Sequence, residues 1–283
     1  MSSARALRKF LAAHPAAALV EVSEAKGSTP REAGAWMLVS PDAIFGTIGG
    51  GQLEFLAIAE ARRAIAEAAD PSATPSTTLD IPLGPEIGQC CGGRVSLGIS
   101  SVDDALRDEL LGRAAAEDAA RPHVYLFGAG HVGHALAWAL SLLPVSVAVV
   151  EMREETLAGL PETVEAKLLP LPEQAVREAP PGSAFVILTH DHALDFLLAA
   201  ESLKRGDATY IGMIGSKTKR NTFRSWFLKE AGGTAEQIDR LVCPIGGSTV
   251  RDKRPAVIAA LTAAEIMTAL AAQNPFSENP APA

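Results

Sequence analysis

Cysteine is scarce in this chain of 283 residues, which has three and therefore no even set for a disulfide framework. So few thiols are typical of a reducing compartment and exclude a disulfide-stapled secreted scaffold. Two of them, Cys90 and Cys91, are adjacent. Neighbouring Cα atoms lie about 3.8 Å apart, short of the ~4.4–6.8 Å that a disulfide usually spans, so the geometry disfavours a crosslink between them.

Aromatic residues are also few, at 5%, and basic residues are outnumbered, which gives a net charge of −8 and a pI near 5.3. This balance argues against a general nucleic-acid or anionic-membrane surface, although it allows a local basic pocket. The apolar run near the N-terminus is broken by His14 and Pro15 and does not resemble a signal peptide. No stretch approaches the ~20 apolar residues of a membrane span. We therefore expect a cytoplasmic protein.

The chain does have 48% hydrophobic residues, enough for the cores of two domains. Residues 1–110 predict a small N-terminal α+β domain, and residues 111–122 the end of a helical linker. Residues 123–273 alternate strand and helix and predict a Rossmann-like doubly wound parallel-sheet domain, so the fold class is α/β. Residues 274–283 contain three prolines and predict a disordered tail.

The periodicity predicts these elements in more detail. The predicted strands are Ala17–Val22, Ala35–Val39, Ile44–Ile48, Thr77–Ile81, Arg94–Ile99, His123–Phe127, Val145–Val150, Val164–Leu168, Ala184–Thr189, Thr209–Ile214 and Leu241–Ile245. The predicted helices are Ala4–Ala13, Gln52–Ala69, Ser101–Arg121, Val132–Leu143, Ala193–Lys204, Lys217–Ala231 and Pro255–Ala272.

A complete G-x-G-x-x-G turn, with Gly128, Gly130 and Gly133, follows the first strand of the second half and opens a helix. Such glycines permit a tight turn and close approach of a pyrophosphate to helix amides. Glu151 follows the next strand, where a carboxylate can accept from a ribose hydroxyl. His131 lies in the turn and can face the ligand. These features predict a Rossmann fold and leave two readings of the turn open: a dinucleotide site, or a glycine turn kept for its geometry with another ligand or none.

Two later loops follow strands of the same predicted sheet. Ser216 and Lys217 begin a helix and form a second candidate anion site, for which the alternative is a plain Ser N-cap. His190 and Asp191 belong to a His-Asp-His sequence that can ligate metal or exchange protons, although an orienting polar loop is favoured over a zinc site. Asp191 as an N-cap is the alternative there.

Two glycine-rich tracts in the first half, Gly27–Arg31 and Gly46–Glu54, predict a paired anion-binding device. The second tract places three glycines before a long helix, whose first amides are left free for an oxoanion. Arg31 supplies a bidentate cation. A hairpin turn and an ordinary helix start are the alternative, but three successive glycines are conformationally costly. The candidate binding residues are Thr29, Arg31, Gly49, Gly50, Gly51, Gln52 and Glu54.

The cysteine pair lies within Gly88–Gly93, where glycines allow the backbone to approach a ligand. Thiols on such a loop are suited to bind a soft metal or to handle sulfur. A pair of small buried hydrophobes is the alternative. Cys90, Cys91 and Gly92 are therefore candidate binding residues.

Taken together, these tracts resemble the XdhC/CoxI family of xanthine dehydrogenase accessory proteins, in the family's order and over almost the whole chain. The matching tracts are Gly27–Arg31, Gly46–Glu54, Gly88–Gly93, Phe127–Gly133, Thr189–Asp195, Tyr210–Arg220 and Cys243–Gly246. The residues after Gly246 lack the Thr-Pro-Glu-Glu pattern of many members and suit the xanthine dehydrogenase branch.

The resemblance implies a chaperone and not an enzyme, so no catalytic residue is assigned. Such proteins bind the molybdenum cofactor (molybdopterin), protect it while a cysteine desulfurase helps to sulfurate it, and insert it into apo xanthine dehydrogenase. On this hypothesis Cys91 contacts the molybdenum, and Thr29, Arg31 and Gly49–Gly51 hold oxoanion or phosphate groups. A homodimer is the base-rate expectation. The main alternative is an NAD(P)-dependent oxidoreductase that uses the Gly128–Gly133 turn. A third hypothesis is a nucleotide-binding regulator or a protein-interaction scaffold.

Overall fold

The computed structural model describes residues 4–67, 76–84, 92–247 and 249–273. Within this part the chain forms two compact units, one up to Ala120 and one from Arg121 onward. The first unit has an antiparallel sheet and the second a parallel sheet, each with helices. The predicted α/β class, with a small α+β unit before a Rossmann-like one, is thus confirmed. The predicted tail, 274–283, lies outside the described residues.

The first unit is built on a five-stranded antiparallel sheet of order β3-β2-β1-β5-β4. The strands are β1 Ala18–Lys26, β2 Trp36–Val39, β3 Ile44–Gly46, β4 Ser76–Pro82 and β5 Arg94–Ser101. The helices are α1 Ala4–Ala13, α2 Gly51–Glu67 and α3 Asp104–Ala120. The predicted linker residues 111–120 are therefore part of α3.

Alternation along β1 places apolar side chains on both faces of this sheet. Val20 packs with Leu53 of α2 in one core, whereas Leu19 packs with Leu7 of α1 and Leu110 of α3 in the other. This is the period of two expected of a strand covered on both sides. The sheet is thus sandwiched between α2 and the α1–α3 pair.

The second unit has a six-stranded parallel sheet of order β11-β10-β9-β6-β7-β8. Its strands are β6 His123–Phe127, β7 Ser146–Glu151, β8 Glu165–Leu168, β9 Ala184–Ile187, β10 Tyr210–Met213 and β11 Leu241–Val242. Its helices are α4 His131–Leu140, α5 Glu173–Glu178, α6 His192–Lys204, α7 Lys217–Lys229, α8 Ala235–Asp239 and α9 Pro255–Gln273, with a 3-10 turn at Glu154–Leu157.

The chain winds outward from β6 in both directions, so the strand order reverses between β6 and β9. In open parallel sheets the carboxyl ends of the strands at this point form a ligand crevice. Phe185 faces one hydrophobic core and Val186 the other, because both faces of the sheet are covered by helices. The sheet therefore positions the Gly128–Gly133 turn and the Thr189 loop beside each other.

One helix in the described part of the chain, α9, is long and apolar enough by length and composition to cross a membrane. This corrects the expectation that no stretch approaches such a span. Five of its residues, Ala259, Thr262, Ala263, Ile266 and Leu270, are buried in the second unit. Ile266 and Leu270 join the core that also contains Leu136 of α4. A core helix of a folded protein meets the same length and composition test.

The remaining differences from the predicted elements are local. The short helices α5 and α8 were not predicted, and β1 extends to Lys26 instead of ending at Val22. A register shift between Val22 and Glu24 in the β1–β5 pair accommodates this extension. The strand predicted over Ile44–Ile48 ends at Gly46, which has a positive φ of 83°.

Candidate functional site

The glycine turn before α2 is held by a carboxylate of the helix itself. Glu54 Oε2 accepts hydrogen bonds from Thr47 Oγ1 at 2.6 Å, from the Gly50 amide at 3.0 Å and from the Ile48 amide at 3.2 Å. The Gly49 amide donates to Thr47 Oγ1 at 3.1 Å. These two glycine amides are thus used within the turn, whereas the sequence predicts amides left free here. Glu54 closes the turn in this structure.

The two predicted anion tracts of the first unit do lie together. A Cβ built on Gly49 would stand 2.8 Å from Cβ and Cγ of Pro30 and 3.4 Å from Cγ of Arg31. Gly49 also has a φ of 122°, which other residues rarely adopt. Glycine is therefore required at this position by both its backbone conformation and the close approach of Pro30.

Gly92 and Gly93 are the described residues of the cysteine-containing tract Gly88–Gly93, and Gly93 packs against the Gly27–Arg31 tract. A Cβ on Gly93 would stand 2.3 Å from the Ser28 carbonyl oxygen, and one on Gly27 3.3 Å from the Gly93 Cα. The amide of Gly92 donates to the Leu83 carbonyl and the amide of Leu83 to the Gly93 carbonyl, both at 2.8 Å. Leu83 and Gly92 thus close the β4–β5 hairpin. Cys90 and Cys91 lie in its connection, outside the described residues.

Arg31 is the cation that this arrangement leaves available. Arg31 is exposed, and it forms no ion pair with any residue that the structure describes. Nearby Lys26, in contrast, pairs with Glu24 at 2.7 Å, and Arg94 pairs with Asp80. Thr29 is half-buried, and Gln52 is exposed in the first turn of α2. The described part of this region therefore combines a free guanidinium, a hydroxyl and a helix start, which are suitable donors for an oxoanion.

The glycine turn of the second unit is tightly packed at the crossover point of the sheet. Gly128 has a φ of 110°, and a Cβ on it would stand 2.7 Å from the Leu188 carbonyl oxygen. A Cβ on Gly133 would stand 2.1 Å from the Gly128 carbonyl oxygen. Around Gly130, in contrast, there is open space, and it forms the N-cap of α4 without a side-chain cap. Two glycines are thus packing requirements, and the third leaves room at the helix start.

Glu151, predicted as a ribose acceptor, is bound to this turn. It is 8% exposed and accepts from the Ala129 amide at 3.1 Å through Oε2 and from the Met152 amide at 2.8 Å through Oε1. Burial raises the pKa of this carboxyl, but the two amide hydrogen bonds and Arg153, 3.8 Å away, together hold it below its usual value. The charged carboxylate of Glu151 therefore stabilises the Gly128–Gly133 turn through its hydrogen bond to the Ala129 amide.

The histidines near this turn are in different environments. His131 is exposed at the first position of α4. His134 is half-buried, and its Nε2 lies 2.8 Å from the Thr156 carbonyl oxygen. This carbonyl acceptor assigns the proton of His134 to Nε2. His134 thus has a structural partner, whereas His131 faces solvent beside the open space at Gly130.

The loop after β9 is organised by two aspartates. Asp191 is the N-cap of α6 and accepts from the amides of Ala193 at 2.8 Å and Leu194 at 3.3 Å, while His190 is exposed. Asp195 is fully buried and accepts from Thr189 Oγ1 at 2.6 Å and from Lys219 Nζ. The sequence does not predict this ion pair, because nothing in the residue spacing shows that Lys219 reaches Asp195 from the next helix.

The third candidate turn, before α7, uses Ser216 as its N-cap, with Oγ accepting from the Lys219 amide at 3.2 Å. Lys217 is exposed at the first helical position. Across the described ranges, no group of three or more His, Cys, Asp or Glu side chains is arranged to hold a metal ion. Cys91, the predicted metal-contacting residue, falls outside these ranges, as does Cys90.

The structure thus defines a protein class: a small α+β unit with converging glycine loops, followed by a Rossmann-type unit. The family model of the XdhC Rossmann domain matches residues 124–266, about half of the chain, and that of the XdhC and CoxI family matches residues 10–72. The chain belongs to the XdhC family, which confirms the resemblance seen in the sequence.

Two individual proteins illustrate this relationship. The uncharacterized protein YqeB of Escherichia coli K12 is 27% identical over 257 residues, which cover 88% of this chain and 43% of YqeB. The chain thus spans less than half the length of that relative. A crystal structure described as a xanthine dehydrogenase from Bacillus halodurans superposes with a TM-score of 0.78 and 18% identity, covering 98% of each chain. This likeness establishes a shared fold.

Proposed function

We propose that this protein is an accessory protein of xanthine dehydrogenase that binds the molybdenum cofactor as cargo. It holds the cofactor while a cysteine desulfurase supplies sulfur, and it delivers the sulfurated form to the apo-dehydrogenase. Membership of the XdhC family supports the accessory role. The single observation that carries the cofactor assignment is the convergence of three tracts in the first unit, since Gly93 packs on Ser28 and Gly49 packs on Pro30.

The donors in these tracts match the two ends of such a cargo. The cofactor has a soft, sulfur-ligated metal centre and a hard phosphate, which thiolates and guanidinium or amide groups respectively bind well. Cys91 is the covalent neighbour of Gly92, which lies at the closed end of the β4–β5 hairpin. Arg31 and Thr29 belong to the loop against which that end packs. We therefore assign the metal end to Cys91, with Cys90 beside it, and the oxoanion or phosphate groups to Arg31, Thr29 and Gly49–Gly51.

The decisive experiment is to purify the protein from a host that makes the cofactor and to measure bound molybdenum and pterin. We expect both in the parent protein and a loss of most of both in Cys91→Ala. Cys90→Ala tests whether the neighbouring thiol contributes. Full cofactor content together with full activation of apo-dehydrogenase by Cys91→Ala would refute the thiol assignment.

Arg31→Gln separates binding of the anionic groups from the thiol chemistry. Loss of a charge-assisted hydrogen bond of about 1.5–3 kcal/mol weakens binding by roughly 10- to 150-fold. Arg8→Gln is the matched control, because Arg8 is an exposed arginine of α1 in the same unit. Equal cofactor content in the two variants would remove Arg31 from the proposed site.

A second function, dinucleotide binding by the second unit, is supported by its strand order and by the open space at Gly130. Against it, the Ala129 amide of the turn is already bound to Glu151. Titration with NAD and NADP discriminates between the two functions. Tight binding that persists in Cys91→Ala would favour the NAD(P)-dependent alternative, whereas cofactor binding without nucleotide binding supports the chaperone.

A further inference from the structure

The second unit contains a cavity that neither the Gly128–Gly133 turn nor the Thr189 loop accounts for. It lies where β10 and β11 end, between the first turns of α7 and the loop that follows β11, and its volume is about 380 Å³. Apart from the end of β11, it is lined by Lys217, Arg220, Asn221, Cys243, Pro244 and Gly247. We call it the α7 cavity.

Two of the lining side chains are cations without counterions. Within the described ranges, neither Lys217 nor Arg220 has an ion pair, and the buried Nε of Arg220 has no hydrogen-bond acceptor. The neighbouring Lys219 is different, because its Nζ donates to Asp195 and, at 2.9 Å, to the Ile214 carbonyl. The α7 cavity thus retains positive charge that the fold itself does not neutralise, and a buried guanidinium donor without a partner is costly.

The carboxylates of Asp195 and Glu265 are near the cavity, but both are hydrogen-bonded to other groups. Asp195 is bound by Thr189 and Lys219, and Glu265 Oε2 accepts from Tyr210 Oη at 2.8 Å and from the Gly246 amide at 3.0 Å. Among the residues that the structure describes, no carboxylate lines the cavity. Burial raises the pKa of the Cys243 thiol more than Lys219 and Arg220 lower it, so the thiol is neutral at pH 7. The walls of the α7 cavity therefore carry net positive charge.

The size and the walls together define a ligand class. A water molecule occupies about 30 Å³ of liquid, so the cavity is far larger than a bare phosphate ion, yet it is near the lower end of the ~300–1,000 Å³ of small-molecule sites. Leu241, Val242 and Pro244 add apolar groups to the lining. An arginine fork and a lysine point charge are a common combination for phosphate.

We propose that the α7 cavity binds a small phosphate monoester, with the phosphate held by Arg220 and Lys217 and the organic part lying against Val242 and Pro244. Asn221 offers an amide to the same group. All of its lining residues belong to the second unit, so the proposal goes beyond the proposed cofactor binding, which is assigned to residues of the first unit.

Calorimetric titration of the full chain, purified without cofactor, tests this proposal with ribose 5-phosphate as the probe. We expect ribose 5-phosphate to bind, ribose to give no heat of binding, and inorganic phosphate to bind roughly tenfold more weakly because it lacks the apolar contacts. Absence of binding by both phosphate compounds at millimolar concentration would overturn the proposal.

Variants on the same helix identify the site. Arg220→Gln is expected to weaken ribose 5-phosphate binding about 10- to 100-fold, and Lys217→Gln about 3- to 10-fold, since Lys217 is exposed. Arg224→Gln is the matched control, because Arg224 is an exposed arginine of α7 that does not line the cavity. An equal loss in Arg224→Gln, or no loss in Lys217→Gln and Arg220→Gln, would contradict the assignment. If Arg220→Gln does not fold, Lys217→Gln alone tests whether ribose 5-phosphate binds in the α7 cavity.

The same titration in Cys91→Ala distinguishes the two proposals. We expect this variant to lose the molybdenum cofactor and to retain ribose 5-phosphate binding. A parallel loss of both ligands would contradict the independence of the α7 cavity.

Discussion

A glutamate closes the glycine turn in each unit, but the two carboxylates act from different places. Glu54 belongs to the helix that the turn opens and reaches back four residues to the Gly50 amide. Glu151 ends the neighbouring strand and reaches the Ala129 amide from 22 residues away. Glu54 is half-buried with three donors on one oxygen, whereas Glu151 is buried with one amide on each oxygen.

This comparison indicates how each turn can respond to a ligand. The carboxylate of Glu54 is partly solvated, so an incoming oxoanion can replace it as the acceptor at little desolvation cost. Glu151 is held by the sheet and keeps its charge, so the Ala129 amide stays occupied. The first turn is therefore suited to exchange its acceptor for a ligand, and the second to remain rigid.

The largest expected effect is on the rigid turn. In Gly133→Ala the new Cβ would stand 2.1 Å from the Gly128 carbonyl oxygen, so the backbone must shift, and we expect a loss of at least about 3 kcal/mol in the unfolding free energy of the second unit. Hydrogen exchange of the β6 amides measures it. Gly130→Ala is the control, with an expected cost below about 1 kcal/mol because its site is open. Equal costs would show that the turn is not tightly packed.

The corresponding change in the first unit is Gly93→Ala, whose Cβ would stand 2.3 Å from the Ser28 carbonyl oxygen. We expect a loss of about 2–3 kcal/mol, somewhat less than for Gly133 because two loops can separate more easily than a helix and its own turn. Exchange of the β5 amides reports it. Gly98→Ala on the same strand meets no atom within 4 Å and serves as the control, expected to be neutral or slightly stabilising. A neutral Gly93→Ala would separate the cysteine segment from the Gly27–Ser28 loop.

Glu151→Gln tests whether the buried carboxylate stabilises its turn through charge. We expect a loss of about 1–2 kcal/mol at neutral pH, since the amide nitrogen of glutamine cannot accept from Met152. The pKa of Glu151 is lowered on folding from its ordinary 4.5, so its contribution is present above that value and declines as the pH falls through the lowered one. Urea unfolding at several pH values should therefore show the two proteins converging in acid. A constant difference would exclude a charge effect.

Glu54→Gln is expected to have the smallest effect, below about 1 kcal/mol, because all three donors reach a single oxygen that glutamine also provides. Exchange of the α2 amides measures the difference. A cost as large as that of Glu151→Gln would mean that Glu54 is as firmly fixed as Glu151, and that this turn does not readily release its acceptor.

The sequence predicts most of this fold because its strongest signals are local. The strand β6 and the helix α1 have the predicted bounds, since each is a clean periodic segment ended by turn residues. The helices α5 and α8 are too short for periodicity to show. The partners of Glu54, Glu151 and Asp195 depend on which elements the fold brings together, which residue spacing does not contain. The glycine tracts can be found from the sequence itself. The sequence does not show that amides within them are already hydrogen-bonded, as those of Gly50 and Ala129 are to Glu54 and Glu151.

The closure of the β4–β5 hairpin at Leu83 and Gly92 also has a consequence for how a bound group is released. The end of the connection at Gly92 is tethered beside the Gly27–Arg31 loop, because Gly93 packs against Ser28. A short tether of this kind gives an effective local concentration on the order of millimolar, whatever the intrinsic affinity of the two loops for each other. On the proposed function, a cargo held at two points of this hairpin and loop releases one while the other keeps it, so its transfer to another protein proceeds stepwise and without free cargo in solution.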